Sequence, residues 1–107
     1  MNLIYCDPGL MDNQGHHANS CRLITTEARQ RGIPTGVLAH IKAEPPLCGE
    51  LSATPWFRCH TYGIYSEDPI CGFLLDFDFI SRITKEDLFR VRDLGSVPLV
   101  YLNSLCI

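Results

Sequence analysis

With 107 residues, 46% of them apolar and 20% charged, the chain has the balance of one globular domain and lacks the length for two. Its formal charge is −3 and its nine Lys and Arg residues are scattered, so there is no concentrated basic field to hold a phosphate backbone and no nucleic-acid partner is expected. No apolar run approaches the roughly 20 residues that span a bilayer, so no transmembrane segment is expected, and Met1 leads into Asn2-Leu3-Ile4-Tyr5 without the basic start of a secretion signal. The expected location is cytoplasmic. There the six cysteines read as reduced, with Cys6, Cys21 and Cys106 at core positions and none in a C-x-x-C pair.

The run 2–7 closes on Asp7-Pro8-Gly9 and reads as a buried first strand followed by a turn. His17, Cys21, Ile24 and Ala28 then recur on one helical stripe. Arg29 and Arg31 suit the last turn of that helix, and Gly32 suits its left-handed stop, so the spacing predicts a helix over about 16–31. Residues 34–41 read as a second strand, which makes the first 41 residues a strand–helix–strand unit of a parallel sheet. The stretch 42–55 carries three prolines and reads as a surface loop with at most one turn of helix.

Aromatic and β-favouring residues over 56–62 predict a short third strand. Ile70, Phe73, Leu74, Phe77 and Ile80 or Ser81 form a strongly apolar stripe, predicting a deeply docked helix over 67–82 with Asp68-Pro69 at its start. Thr84-Lys85-Glu86-Asp87 resembles the N-cap and acidic first turn of a separate short helix holding Leu88 and Val91, ended by Leu94-Gly95. The final run 97–103 is nearly all apolar and predicts a strand covered on both faces. The fold class that follows is α/β, three-layer and Rossmann-like. Its sheet is mainly parallel, with about four strands and flanking helices, and is incomplete because nothing after residue 103 covers the last strand.

The richest chemistry lies in the turn between the first strand and the first helix, Asp7 to His17. Ligands of parallel α/β sheets collect at the carboxyl ends of strands, where helix N-termini offer unpaired amides. Asp7, Gly15, His16 and His17 are the candidate ligand-binding residues, Gly15 for close backbone approach and either histidine for hydrogen bonding or proton transfer. The competing reading is an ordinary turn whose glycine solves a backbone problem, with His17 a satisfied core histidine. G-x-G-x-x-G is absent, so no dinucleotide cofactor is expected. His16, His17, His40 and His60 with Asp7 or Asp12 lack H-x-x-x-H and H-E-x-x-H spacing, so no metal is expected either. Cys6 and Cys59 show no sign of thiolate activation. Asp76-Phe77-Asp78 matches D-x-D in letters, yet lies within an apolar helical stripe, and Trp56-Phe57 suits a core as well as a sugar-stacking platform.

A first strand ending in Asp7-Pro8, Gly15-His16-His17 opening a helix, Ala28-Arg29-Gln30-Arg31-Gly32 ahead of Val37-Leu38-Ala39, and the later run 98–103 together resemble the N-terminal domain of GT-B glycosyltransferases. In that family the first helix follows a Gly-Gly turn, and here His16 stands where the second glycine is common. The resemblance implies an acceptor-side half-domain, inactive alone, that works on a sugar acceptor and a nucleotide-sugar donor bound through a missing C-terminal domain. It makes His16 the candidate catalytic base. The alternative expectation is a small non-catalytic α/β interaction module that completes its core as a homodimer.

Overall fold

A computed structural model of the chain describes residues 3–13, 15–60, 63–91 and 99–102. The elements run β1 (Leu3–Cys6), α1 (Gly15–Gln30), β2 (Thr35–His40), α2 (Pro45–Leu51), β3 (Ala53–Phe57), α3 (Gly72–Phe89) and β4 (Leu99–Leu102). The described strands form one sheet in the order β3-β2-β1-β4, every neighbouring pair parallel. The expected α/β class with a parallel sheet and flanking helices is what the chain adopts.

Two clusters fix the layers. Tyr5, Val37 and Ala39 face Ala18 and Cys21 of α1 and Leu47 and Leu51 of α2, while Cys6, Leu38 and Phe57 face Leu88 of α3 and Val91 just beyond its end. Alternate strand residues therefore supply opposite faces, as the two-residue side-chain period of a strand requires. The helix α1 buries Ala18, Cys21, Thr25 and Ala28, with Ile24 packed beside them. It stops at Gly32, whose φ of +76° is the left-handed conformation expected there.

Beyond α1 the boundaries depart from the sequence pattern. The stretch 42–55 is not a loop. It holds α2, with Pro45 and Pro46 where a helix tolerates proline, and most of β3. Pro55 fits because β3 lies at the sheet edge, where a strand can lack one donor. The third strand ends at Phe57 and not near residue 62, and residues 61 and 62 lie outside the described ones.

The largest correction concerns α3. It is one continuous helix, so Thr84 opens no second helix; neither glycine nor proline interrupts 73–89. Asp68 instead caps the approach, its Oδ1 accepting the amides of Ile70 and Cys71 at 2.9 and 2.6 Å. Nor is α3 deeply docked: Asp87 is its one fully buried residue, and Phe73 is 83% exposed. The reason is geometric. Eighteen residues of helix extend about 27 Å at 1.5 Å per residue, beyond strands of four to six residues, so only the last turns reach the sheet. The last strand is likewise open, with Val100 45% and Tyr101 40% exposed, against the expectation of cover on both faces. The expected end of the second helix at residues 94 and 95, and Cys106, lie outside the described residues.

A buried carboxylate anchors the C-terminal end of α3. Asp87 accepts the Arg58 amide and Arg58 Nε, both at 2.9 Å, and Arg90 Nη1 at 3.1 Å. The Trp56 indole donates to the Asp87 carbonyl at 2.8 Å, with the Arg90 guanidinium 4.7 Å from the ring centre. Trp56 and Phe57 thus act as packing and anchoring groups. Asp76 Oδ1 accepts the amides of Tyr65 and Ser66, and Asp78 pairs with Arg82, so both acids of the Asp-Phe-Asp run are engaged along the helix.

Candidate functional site

The strand order places the candidate site. The chain steps from β1 to β2 to β3 in one direction, then returns on the other face of the sheet to put β4 beside β1. The order reverses between β1 and β4, and the crevice outside the carboxyl ends of strands at such a reversal is where open α/β sheets bind ligands. The segment leaving β1 at this point begins with Asp7.

Asp7 is fully buried. Its Oδ1 accepts the Gly9 amide at 2.9 Å, and its two oxygens lie 3.0 and 2.9 Å from His17 Nδ1. An ionised carboxylate only accepts, so Nδ1 carries a proton, and whenever the ring is neutral its lone pair lies on Nε2, the arrangement of an oriented general base. The turn between the two residues is fastened to β2 and its exit. Leu10 is fully buried and its carbonyl accepts the His40 amide at 3.0 Å, while Met11 accepts the Glu44 amide at 2.8 Å.

The four residues picked from the sequence take different places. Asp7 and His17 are joined directly. His16 is exposed and its ring stacks on His17 at 4.4 Å between centres. Gly15 opens α1 at a φ of +77°, with nothing within 4 Å of where a Cβ would stand, so its backbone borders open space. This left-handed turn is one reason for glycine there; the open space also leaves room for a bound group.

Two further imidazoles, weighed from the sequence only as metal ligands, gather at the same edge because His40 ends β2 and His60 follows the end of β3. The His60 ring lies 6.4 Å from that of His17 and 6.0 Å from that of His40. The Lys42 amide donates to His40 Nδ1 at 3.0 Å, which leaves the ring proton of neutral His40 on Nε2. Burial, then the neighbouring His60 and Lys42, hold His40 below the usual imidazole range. Burial and His17 do the same to His60, against the opposing pull of Asp7 and the Gly9 backbone. At His40 and His60 the environment thus favours the neutral ring, which can both donate and accept hydrogen bonds.

No group of three His, Cys, Asp or Glu side chains among the described residues is arranged to hold a metal ion. Burial and Asp7 push the Cys6 thiol up to about 12, and burial raises Cys59, so both are poor nucleophiles near neutrality. Among the described residues no helix is long and apolar enough to cross a membrane. No protein-family model, curated protein or solved structure matches the chain, so the chemistry of this edge rests on its own geometry.

Proposed function

We propose that the chain forms the acceptor-side wall of a glycosyltransferase of the GT-B kind, with His17 as the base that activates a sugar-acceptor hydroxyl. The observation that carries the reading is the fully buried Asp7 held against His17 Nδ1 at the carboxyl edge of a parallel sheet, beside its reversal point. His17 Nε2 takes the hydroxyl proton as the acceptor oxygen attacks the anomeric carbon of the donor sugar. The bond from that carbon to the diphosphate breaks, and the nucleoside diphosphate departs with the electron pair. Asp7 keeps the ring in the right tautomer and stabilises the imidazolium that forms. His16, the base singled out by the sequence resemblance, stacks on His17; the geometry favours His17 because a carboxylate orients it. Gly15 and the first amides of α1 border the same edge and suit a hydroxyl or a donor phosphate. The donor is supplied through a second domain, so this chain alone binds and does not turn over.

The test is a titration of the isotope-labelled chain with sugar acceptors, nucleotide sugars and sugar phosphates, followed by NMR amide shifts. Shifts clustered at Gly9, Gly15 to Ala18 and His60 that disappear in His17→Ala support the reading. Saturating additions that leave these residues unmoved contradict it.

A second reading, a non-catalytic interaction module, is favoured by one observation: the N-terminal half of α3 exposes Phe73, Leu74 and Leu75, and β4 exposes Val100 and Tyr101. Patches of this kind mark surfaces that meet another protein. A homodimer that covers them is its simplest form, and sedimentation across a concentration series tests it.

A further inference from the structure

Gly9 belongs to the turn signal after β1, where a glycine is usually read as a backbone convenience. Here the backbone does not demand one. Gly15 and Gly32 are the glycines with positive φ among the described residues, and Gly9 lies outside the left-handed region. What an added Cβ at position 9 would meet is the His17 ring, at 2.6 Å from Cε1, 3.0 Å from Nε2 and 3.1 Å from Nδ1. Carbon atoms in contact rest about 3.5–4.0 Å apart, so the ring would have to leave its place. The same residue touches the rest of the site through its backbone: its amide donates to Asp7 Oδ1 at 2.9 Å.

We propose that Gly9 is the positioning residue of the site: its bare Cα gives His17 the room to lie against Asp7, while its amide holds Asp7 beside that ring. Gly9 itself handles no proton and touches no substrate. It sets whether His17 reaches the carboxylate, and so which ring nitrogen carries the proton. The inference deepens the reading of His17 as a base and rests on it for its meaning in catalysis, although the geometry is testable without a substrate.

The experiment compares Gly9→Ala with Gly49→Ala, a helical control where an added Cβ meets nothing within 4 Å. Imidazole nitrogen shifts from long-range proton–nitrogen NMR report the tautomer. The wild type and Gly49→Ala are expected to show His17 protonated on Nδ1, and Gly9→Ala to show the averaged shifts of a ring that has lost its fixed partner. A Gly9→Ala chain that keeps the Nδ1 proton on His17 overturns the proposal. Thermal midpoints give the second arm, which needs only a measurable transition. If the added methyl acts through the ring, the drop caused by Gly9→Ala largely vanishes in a His17→Ala background; an undiminished drop there overturns the proposal. Neither readout involves a sugar, so the positioning role and the transfer reading fail separately.

Discussion

The helices α1 and α3 both carry apolar stripes, the more apolar one on α3, yet α1 buries its stripe while α3 leaves most of its first half in solvent. The difference lies in what stands opposite. The helix α1 follows β1 through a turn pinned to β2 and its exit, and shares a cluster with α2 and both strands. The helix α3 meets the sheet only through its last turns, held by the Asp87 network, and its first half extends past the strands. A stripe tells which side of a helix prefers cover; the sheet beneath it decides how much cover exists. The candidate site belongs to the pinned region, which suits a group that must be held in one orientation.

The sharpest way to break this contrast is to truncate one aromatic residue that the fold covers and one that overhangs the sheet. Phe57→Ala removes a fully buried ring and is expected to lower stability by about 3–5 kcal/mol. Phe73→Ser, in the exposed half of α3, is expected to stay within about 0.5 kcal/mol. Urea unfolding of the two variants decides it, and a large loss from Phe73→Ser would mean that the overhanging half is covered in solution.

Asp87→Ala sharpens the account of the anchor. It strands the Arg58 amide, while the partly exposed guanidinium groups of Arg58 and Arg90 recover water, so the expected loss is about 2–3 kcal/mol. A loss of that size, with α1 amide exchange protection retained, is the expected pattern.

Gly15→Ala comes next. Nothing blocks the new methyl, so only the left-handed φ opposes it, and a loss of about 1 kcal/mol in denaturant unfolding is expected. A neutral outcome would show that the first turn of α1 adapts.

The smallest effect is one of pH. His40 and His60 are held below the ordinary imidazole value, so as pH falls through about 6.5 the unfolded chain takes up protons before the folded one. Their contribution is therefore intact above that pH and is lost as pH falls toward their lowered folded values. The thermal midpoint is expected to decline as pH falls below about 6.5, and His40→Asn, whose Oδ1 replaces Nδ1 as acceptor for the Lys42 amide, should flatten part of the slope.

Much of the pinned region is legible in the sequence because its signals are local. The closing Asp-Pro-Gly, the stripe from His17 to Ala28 and the stop at Gly32 each report on neighbours in the chain. The meeting of Asp7 and His17 is less legible: the two stand ten residues apart across a turn, and only the rule that strand ends and helix starts share one edge brings them together. In the sequence His40 and His60 group with His16 and His17 only as a metal set lacking the right spacing. A third strand expected over 56–62 puts His60 inside it, whereas β3 ends at Phe57 and leaves His60 at the strand-end edge beside His40, the last residue of β2. Gly9 is invisible to sequence reasoning of this kind, because its reason for being glycine is a ring arriving from another element. The exposure of α3 is equally hidden, since periodicity carries no information about sheet length.

The central claim is that Asp7 fixes His17 as a base with its lone pair on Nε2. Imidazole nitrogen shifts of the wild type and Asp7→Asn, followed across a pH series, test it most directly. The account expects His17 in the wild type to be protonated on Nδ1, and the Asn amide, able to donate toward that nitrogen, to shift the proton to Nε2. A wild-type ring already protonated on Nε2, or averaging freely between the two forms, would contradict it.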